Sequence, residues 1–158
     1  FMNTALTTSK EIRKARRSEI EEIVQLAYNT FDKSYRPFLG NHNVDWYINN
    51  AELRKEILNH FSDLTVLILN DKITGFIIYF ENFIYIMMID ASKHHNGLGS
   101  ILLKAAEEEL FKTNEHIKLQ SFVGNTIATN FCLKNGWVKG EVNNANDKVA
   151  MVSFEKHK

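Results

Sequence analysis

Ile89-Asp90-Ala91-Ser92-Lys93-His94-His95-Asn96-Gly97-Leu98-Gly99-Ser100 is the stretch on which the fold turns. The apolar run before it ends as a strand would, and helical periodicity resumes after it. Between the two lies a loop with two glycines. Glycine permits positive φ and lets the backbone approach a ligand closely. The first N–H groups of a helix have no intrahelical partner, and the helix dipole is positive at that end. Strand, glycine loop and helix start together predict a site for a phosphate or pyrophosphate. A Walker-type loop needs Gly-Lys followed by Ser or Thr, and Leu98-Gly99-Ser100 lacks the lysine. A dinucleotide fingerprint needs a third glycine in an early βαβ unit, which is also missing.

Upstream of this loop, residues 83–89, 73–80 and 65–69 are β-rich runs with short connections at Glu81-Asn82 and Asn70-Asp71-Lys72, which predicts an antiparallel meander. Further upstream, Ser18 and Glu21 have capping-box spacing. Ile20, Ile23, Val24, Ala27 and Phe31 then share one helical stripe. An aromatic loop over 32–42 follows. A second helix is predicted over 44–60, with Trp46, Leu53, Ile57 and Phe61 inward. Residues 11–16 read as a first strand. Downstream, 97–112 is helical, 118–123 a strand, and 126–134 a short helix stopped by Asn135-Gly136. Residues 137–142 and 149–154 close the chain as two strands. The order β-α-α-β-β-β-α-β-α-β-β predicts an α/β fold: a mixed, mostly antiparallel sheet of about seven strands flanked by four helices.

The 158 residues suit one domain with a real core, and residues 1–158 are read as such, with no repeat, linker or low-complexity tract. Phe1 precedes Met2, so Phe1 is read as an extra residue. The net charge of zero gives no global electrostatic case for nucleic acid or an anionic membrane. The basic cluster Lys10, Arg13, Lys14, Arg16, Arg17 reads as a solvated strand edge. A single cysteine, Cys132, leaves no intramolecular disulfide and fits a reducing compartment. No apolar run reaches spanning length and no signal segment opens the chain, so a cytoplasmic location is expected. The run Glu107-Glu108-Glu109 reads as a solvated helix face. His94 and His95 have no evident third ligand, and no metal is expected.

Two motifs carry a family resemblance. His94-His95-Asn96-Gly97-Leu98-Gly99 is similar to the Arg/Gln-x-x-Gly-x-Gly/Ala signature of the GCN5-related N-acetyltransferase (GNAT) superfamily. Asn125, Ala128, Cys132, Gly136 and Trp137 resemble its Asn-x-x-Ala-x-x-x-Tyr-x-x-x-Gly-Phe pattern. The resemblance implies an acyl-CoA N-acyltransferase fold, with acetyl-CoA as acetyl donor and an unidentified amine as acceptor. It implies that the fourth strand, often bulged, splays from the fifth, and that pantetheine docks in the gap. Main-chain groups of Met87, Met88 and Ile89 are then expected to bind it. The loop His94, His95, Asn96, Gly97, Leu98, Gly99 and the helix start at Ser100 are expected to hold the pyrophosphate, and Asn125 to line the gap. His94 stands where the family prefers Arg or Gln, which predicts weaker or pH-sensitive binding. Homodimers are common in proteins of this kind, although no residue here marks an interface.

The implied reaction is direct attack of a neutral amine on the thioester, helped by proximity and by a main-chain oxyanion donor. The family's leaving-group acid, a tyrosine, is replaced by Cys132, read either as an acid or as a small core residue. Phe83 and Gln120 occupy positions where some relatives carry a base. Tyr85, on an ideal strand sharing a face with Phe83 and Met87, is the best titratable candidate, with Glu81 and Asp32 behind it. Phe31, Asp32, Tyr35 and Phe38 are candidate walls of the acceptor pocket, with Asp32 able to attract a cationic amine. Two other readings stand beside this one: a CoA-binding scaffold without chemistry, and an unrelated phosphate-binding domain.

Overall fold

The computed structural model describes residues 9–94, 96–143 and 149–158. Seven strands form one sheet: β1 (Lys10–Lys14), β2 (Leu64–Leu69), β3 (Lys72–Phe80), β4 (Phe83–Ile89), β5 (His116–Phe122), β6 (Val138–Asn143) and β7 (Met151–His157). Their order across the sheet is β1-β2-β3-β4-β5-β7-β6. Every neighbouring pair is antiparallel except β4 and β5, which run parallel. The meander is closed by tight turns. Asn70 and Asp71 both take positive φ (51° and 65°), the geometry that matches strand twist in a two-residue hairpin.

Among the described residues six α-helices cover the two faces: α1 (Ile20–Ser34), α2 (Arg36–Leu39), α3 (Asn41–Asn49), α4 (Glu52–Asn59), α5 (Leu98–Leu110) and α6 (Thr126–Lys134). Ile23, Ala27 and Phe31 of α1 pack with Val44, Leu53 and Ile57 against Val66, Phe76, Ile78 and Met88. Leu98, Leu102, Leu103 and Ala106 of α5 pack with Cys132 and Trp137 against Leu67, Ile77, Ile84 and Phe154 on the other face. Each apolar strand therefore feeds two cores with alternate residues.

Several expectations are corrected. The Ser18–Glu21 capping box does not form. Instead the chain enters α1 through a 3₁₀ turn at Arg17–Glu19, and the Arg16 N–H donates to the Glu19 carboxylate at 2.7 Å. Glu21 is drawn away by Arg54, which donates two hydrogen bonds to it. The predicted loop over 32–42 is largely helical, because Pro37 suits the first turn of α2 and Gly40 (φ 83°) ends it. The predicted helix over 44–60 is two helices, broken where Ala51 takes a left-handed φ of 53°. The break turns Trp46 outward, where it is 48% exposed, and Val44 fills the core instead. Glu107 is buried, not solvated.

Candidate active site

The parallel junction of β4 and β5 is short. Among the described residues the strands register only at Phe83↔Lys118 and Ile84↔Leu119. Beyond Leu119, β5 follows β7 as far as Phe122↔Met151, while β4 follows β3 to Gly75↔Ile89. Each strand is held by its outer neighbour, so a wedge opens between them toward their C-terminal ends. Ligands in open α/β sheets commonly bind at such a divergence.

A bulge stands at the vertex of the wedge. Ile86 pairs with Ile78 and Ile84 with Tyr79, which leaves Tyr85 as the extra residue of β4. The expectation that Tyr85 shares a face with Met87 is thereby corrected. Met87 packs with the α5 core, whereas the Tyr85 hydroxyl donates to Glu56 Oε2 of α4, on the opposite face, at 2.6 Å. Burial, with the Glu56 carboxylate beside it, pushes the Tyr85 phenol well above its ordinary pKa. The His60 ring lies 4.7 Å from that of Tyr85 and stacks on Phe80 at 5.2 Å.

The α5 end of the wedge fits an anion. Gly97 takes φ 73° at the N-cap, a left-handed conformation that favours glycine, and its Cβ position is open space. Among the described residues no side chain caps the helix and no acidic residue sits in its first turn, an arrangement compatible with an anion at its first N–H groups. Gly99 serves packing: a Cβ there would lie 3.2 Å from the Phe131 ring of α6. Leu98 is buried beneath the loop, and Asn96 and Ser100 flank the glycine turn. The Ile89 carbonyl accepts a hydrogen bond from His94 Nε2 at 2.8 Å, so His94 engages the end of β4 itself. His95 lies outside the described residues.

Opposite this loop, Asn125 caps α6, its side-chain oxygen accepting the Ala128 N–H at 3.1 Å. It also borders a cavity of about 130 Å³ lined by Ser34, Phe38, Gly124 and Ile127. Cys132 lies on the buried face of α6, 4% exposed, and burial pushes its thiol up to about 11. Of the proposed acceptor walls, Phe31, Tyr35 and Phe38 do come together. Phe31 stacks on Tyr35 at 4.5 Å, and Phe38 and Tyr35 both meet Phe122 of β5, at 6.0 and 6.1 Å. Burial raises the Tyr35 phenol to about 12. Asp32 is not available as predicted: the Arg36 guanidinium donates to it and to Asp45. Glu81 forms the β3–β4 turn with φ 56°, and its carbonyl accepts from Asn114. The residues that sequence reasoning missed are Glu56 and His60. Their four-residue spacing places them on one side of the helix predicted over 44–60, where the apolar periodicity marks only the inward residues.

The comparisons agree with this geometry. Residues 32–158 match the family described as "Acetyltransferase (GNAT) domain", and the chain belongs to that family. Its fold is the acyl-CoA N-acyltransferase fold. The PaiA N-acetyltransferase of Thermoplasma acidophilum, solved in complex with coenzyme A, is similar in structure with a TM-score of 0.78 and 19% identity. That match covers 95% of this chain and 99% of the other. A GCN5-related N-acetyltransferase of Rhodopseudomonas palustris gives 0.82 and 13%, covering 95% and 96%. Ard1 of Thermoplasma volcanium gives 0.69 and 18%, covering 94% and 97%. No curated protein sequence matches this chain closely enough to count as a relative.

Proposed function

We propose that this protein, read as one domain over residues 1–158, is an N-acetyltransferase that carries the acetyl group of acetyl-CoA to a primary amine by direct attack. The observation that supports this most is the alignment of three features: a two-residue β4–β5 junction, a bulge at its vertex, and an uncapped helix start across the gap. Pantetheine runs along the main chain of Met87, Met88 and Ile89. The loop from His94 to Gly99 and the Ser100 turn hold the pyrophosphate, and Asn125 borders the gap. This puts the thioester at the vertex, beside Tyr85.

There the amine lone pair attacks the carbonyl carbon, the C–N bond forms, and the C–S bond breaks. The coenzyme leaves as thiolate and takes up the proton shed by the new amide nitrogen. Holding both reactants at the vertex supplies proximity, and a β4 main-chain N–H supplies oxyanion stabilisation. Tyr85 serves as the titratable group at the vertex, working as a hydrogen-bond donor because its phenol stays protonated. Cys132 is assigned to packing, since its buried thiol faces the core.

Isothermal titration with acetyl-CoA, beside ATP as control, tests the reading. Micromolar binding of acetyl-CoA without ATP binding is expected, followed by release of free coenzyme thiol when an amine is added. Binding without turnover of any amine would favour a CoA-binding scaffold instead. No acetyl-CoA binding would overturn the proposal.

A further inference from the structure

We propose that Glu56, held by Tyr85, is the subsite for the reacting amine, and that it takes a protonated primary alkylamine. This rests on the acetyltransferase reading above and names its acceptor class. Tyr85 is the first residue of β4 beyond its last register with β5, and the bulge turns its side chain toward α4. Its hydroxyl donates to Glu56 Oε2 at 2.6 Å, and His60 Nε2 lies 3.9 Å from the same oxygen. This carboxylate therefore stands one side chain away from the vertex.

Charge and shape both suit a cation. Among the described residues no lysine or arginine pairs with Glu56; its partners are a phenol and an imidazole. The basic side chains of the same helix are committed elsewhere, Arg54 to Glu21 and Lys55 to Glu52. Asp32, by contrast, is paired with Arg36, which also holds Asp45. Glu52 on α4, Asp63 near His60 and Tyr47 on α3, whose phenol is raised by burial and then by Glu52 and Glu56, stand around the site, and Lys118 of β5, in register with Phe83, is paired with Glu155 at 3.5 Å. Around Glu56, His60 lies flat on Phe80, and Phe83 lies 6.3 Å from both Phe80 and Tyr85. A partly exposed carboxylate that has no lysine or arginine partner among the described residues, set among aromatic faces, is the chemistry that recognises an alkylammonium.

The same group accounts for deprotonation. The ammonium gives one proton to the Glu56 carboxylate, directly or through the Tyr85 oxygen. The neutral amine then attacks, and the amide nitrogen passes its second proton to the leaving thiolate. Glu56 returns its proton to solvent, so one alkylammonium and one acetyl-CoA yield one amide, one coenzyme thiol and one proton.

The test compares wild type, E56Q, E56D and Y85F on cationic probes (n-butylamine, benzylamine, glycinamide) and on methoxyamine, a primary amine that is uncharged at neutral pH. Acetyl-CoA affinity of each variant is measured alongside. The expected result is a loss of at least about 30-fold in kcat/KM for the cationic probes in E56Q, shared between KM and kcat, as the loss of both a charge-assisted hydrogen bond and the proton acceptor implies. Methoxyamine turnover by E56Q should fall far less than turnover of the cationic probes, E56D should recover part of the loss, Y85F should lose activity on both kinds of amine, and the acetyl-CoA affinity of E56Q and E56D should match wild type. Equal losses on charged and uncharged amines in E56Q, or no loss, would overturn the inference. So would a wild type that binds acetyl-CoA but neither acetylates nor binds any cationic probe, and that result leaves the coenzyme site standing. A wild type that binds no acetyl-CoA overturns the acetyltransferase reading and this inference with it.

Discussion

The indole N–H of Trp137 donates to Glu107 Oε2 at 3.0 Å inside the core, and Lys156 donates to the other oxygen of that carboxylate at 2.7 Å. Lys156 also donates to the Asn135 carbonyl at 2.8 Å, so one buried carboxylate ties α5 to β7 and to the end of α6. Trp137 stands where the family pattern has phenylalanine. A buried indole needs an acceptor for its N–H, and Glu107 provides it.

Removing that carboxylate strands two donors. Glu107→Ala should cost about 3 kcal/mol, since it leaves a lysine and an indole uncompensated. Glu107→Gln keeps an acceptor for Trp137 but loses the charge opposite Lys156, and should cost less. Trp137→Phe removes only the donor and leaves the ion pair, for about 1 kcal/mol. Urea unfolding of the three variants checks the order. Equal stability of E107A and wild type would refute a structural role for this network.

At the opposite edge of the sheet, Glu19 governs acid behaviour. Arg13 donates two hydrogen bonds to it, at 2.9 and 2.7 Å. Arg13, assisted by the Arg16 N–H and opposed by burial, lowers the Glu19 pKa from 4.5 to about 2. A carboxylate with a depressed folded-state pKa stabilises the fold above its unfolded pKa and loses that contribution as pH falls through the folded one. The stability difference between wild type and Glu19→Gln should therefore be full above pH 4.5 and close as pH approaches about 2. Urea midpoints of both proteins across that range measure it, and a gap that widens on acidification would refute the assignment.

Gly97 tests the loop through its backbone. Its Cβ position is open space, so a side chain there meets no neighbour, but φ 73° is unfavourable for any residue with a Cβ. Gly97→Ala should cost about 1 kcal/mol in conformation alone. Because the loop aims the N–H groups of α5, acetyl-CoA affinity should fall about tenfold. Gly97→Asn, which tolerates the left-handed region better, should lose less of both. Calorimetry on the two variants distinguishes strain from steric exclusion.

His94 occupies the family's Arg/Gln position and engages the Ile89 carbonyl. Replacing it with arginine adds a permanent charge beside the loop assigned to the pyrophosphate. His94→Arg should tighten acetyl-CoA binding by about tenfold. Unchanged or weaker binding by calorimetry would show that the ring's contact with β4 matters more than charge.

The limits of the strand β4 (Phe83–Ile89) and the helix α6 (Thr126–Lys134) were legible because β4 is an apolar run closed by turn residues and α6 is stopped by Asn135-Gly136. The bulge at Tyr85 was not. Phe-Ile-Tyr-Ile-Met-Met-Ile is apolar throughout, so an inserted residue breaks no alternation that a reader could see. The break at Ala51 carries no glycine or proline to announce it. Glu107 sits in a run of three glutamates that reads as solvated, while its partners Trp137 and Lys156 are 30 and 49 residues away. The loop proposed to hold the pyrophosphate is legible because its signal is local. The Tyr85–Glu56 contact proposed as the acceptor subsite is not, because the two residues meet only once α4 is laid across the sheet.

Cys132 occupies the position of the family's acid. A leaving-group acid must be protonated before transfer and must reach the sulfur of the coenzyme. Burial meets the first condition, raising the thiol to about 11. The second is opposed by its place in the core with Leu98, Leu102 and Trp137, where it is 4% exposed. Native protein should therefore react with an aromatic disulfide reagent at least about a hundredfold more slowly than protein in urea, because thiolate character and access are both suppressed. Cys132→Ala should lower stability by about 1 kcal/mol through lost packing and change kcat by less than about twofold. A drop in kcat of about a hundredfold at unchanged acetyl-CoA affinity, restored by Cys132→Ser, would return the thiol to the role of proton donor.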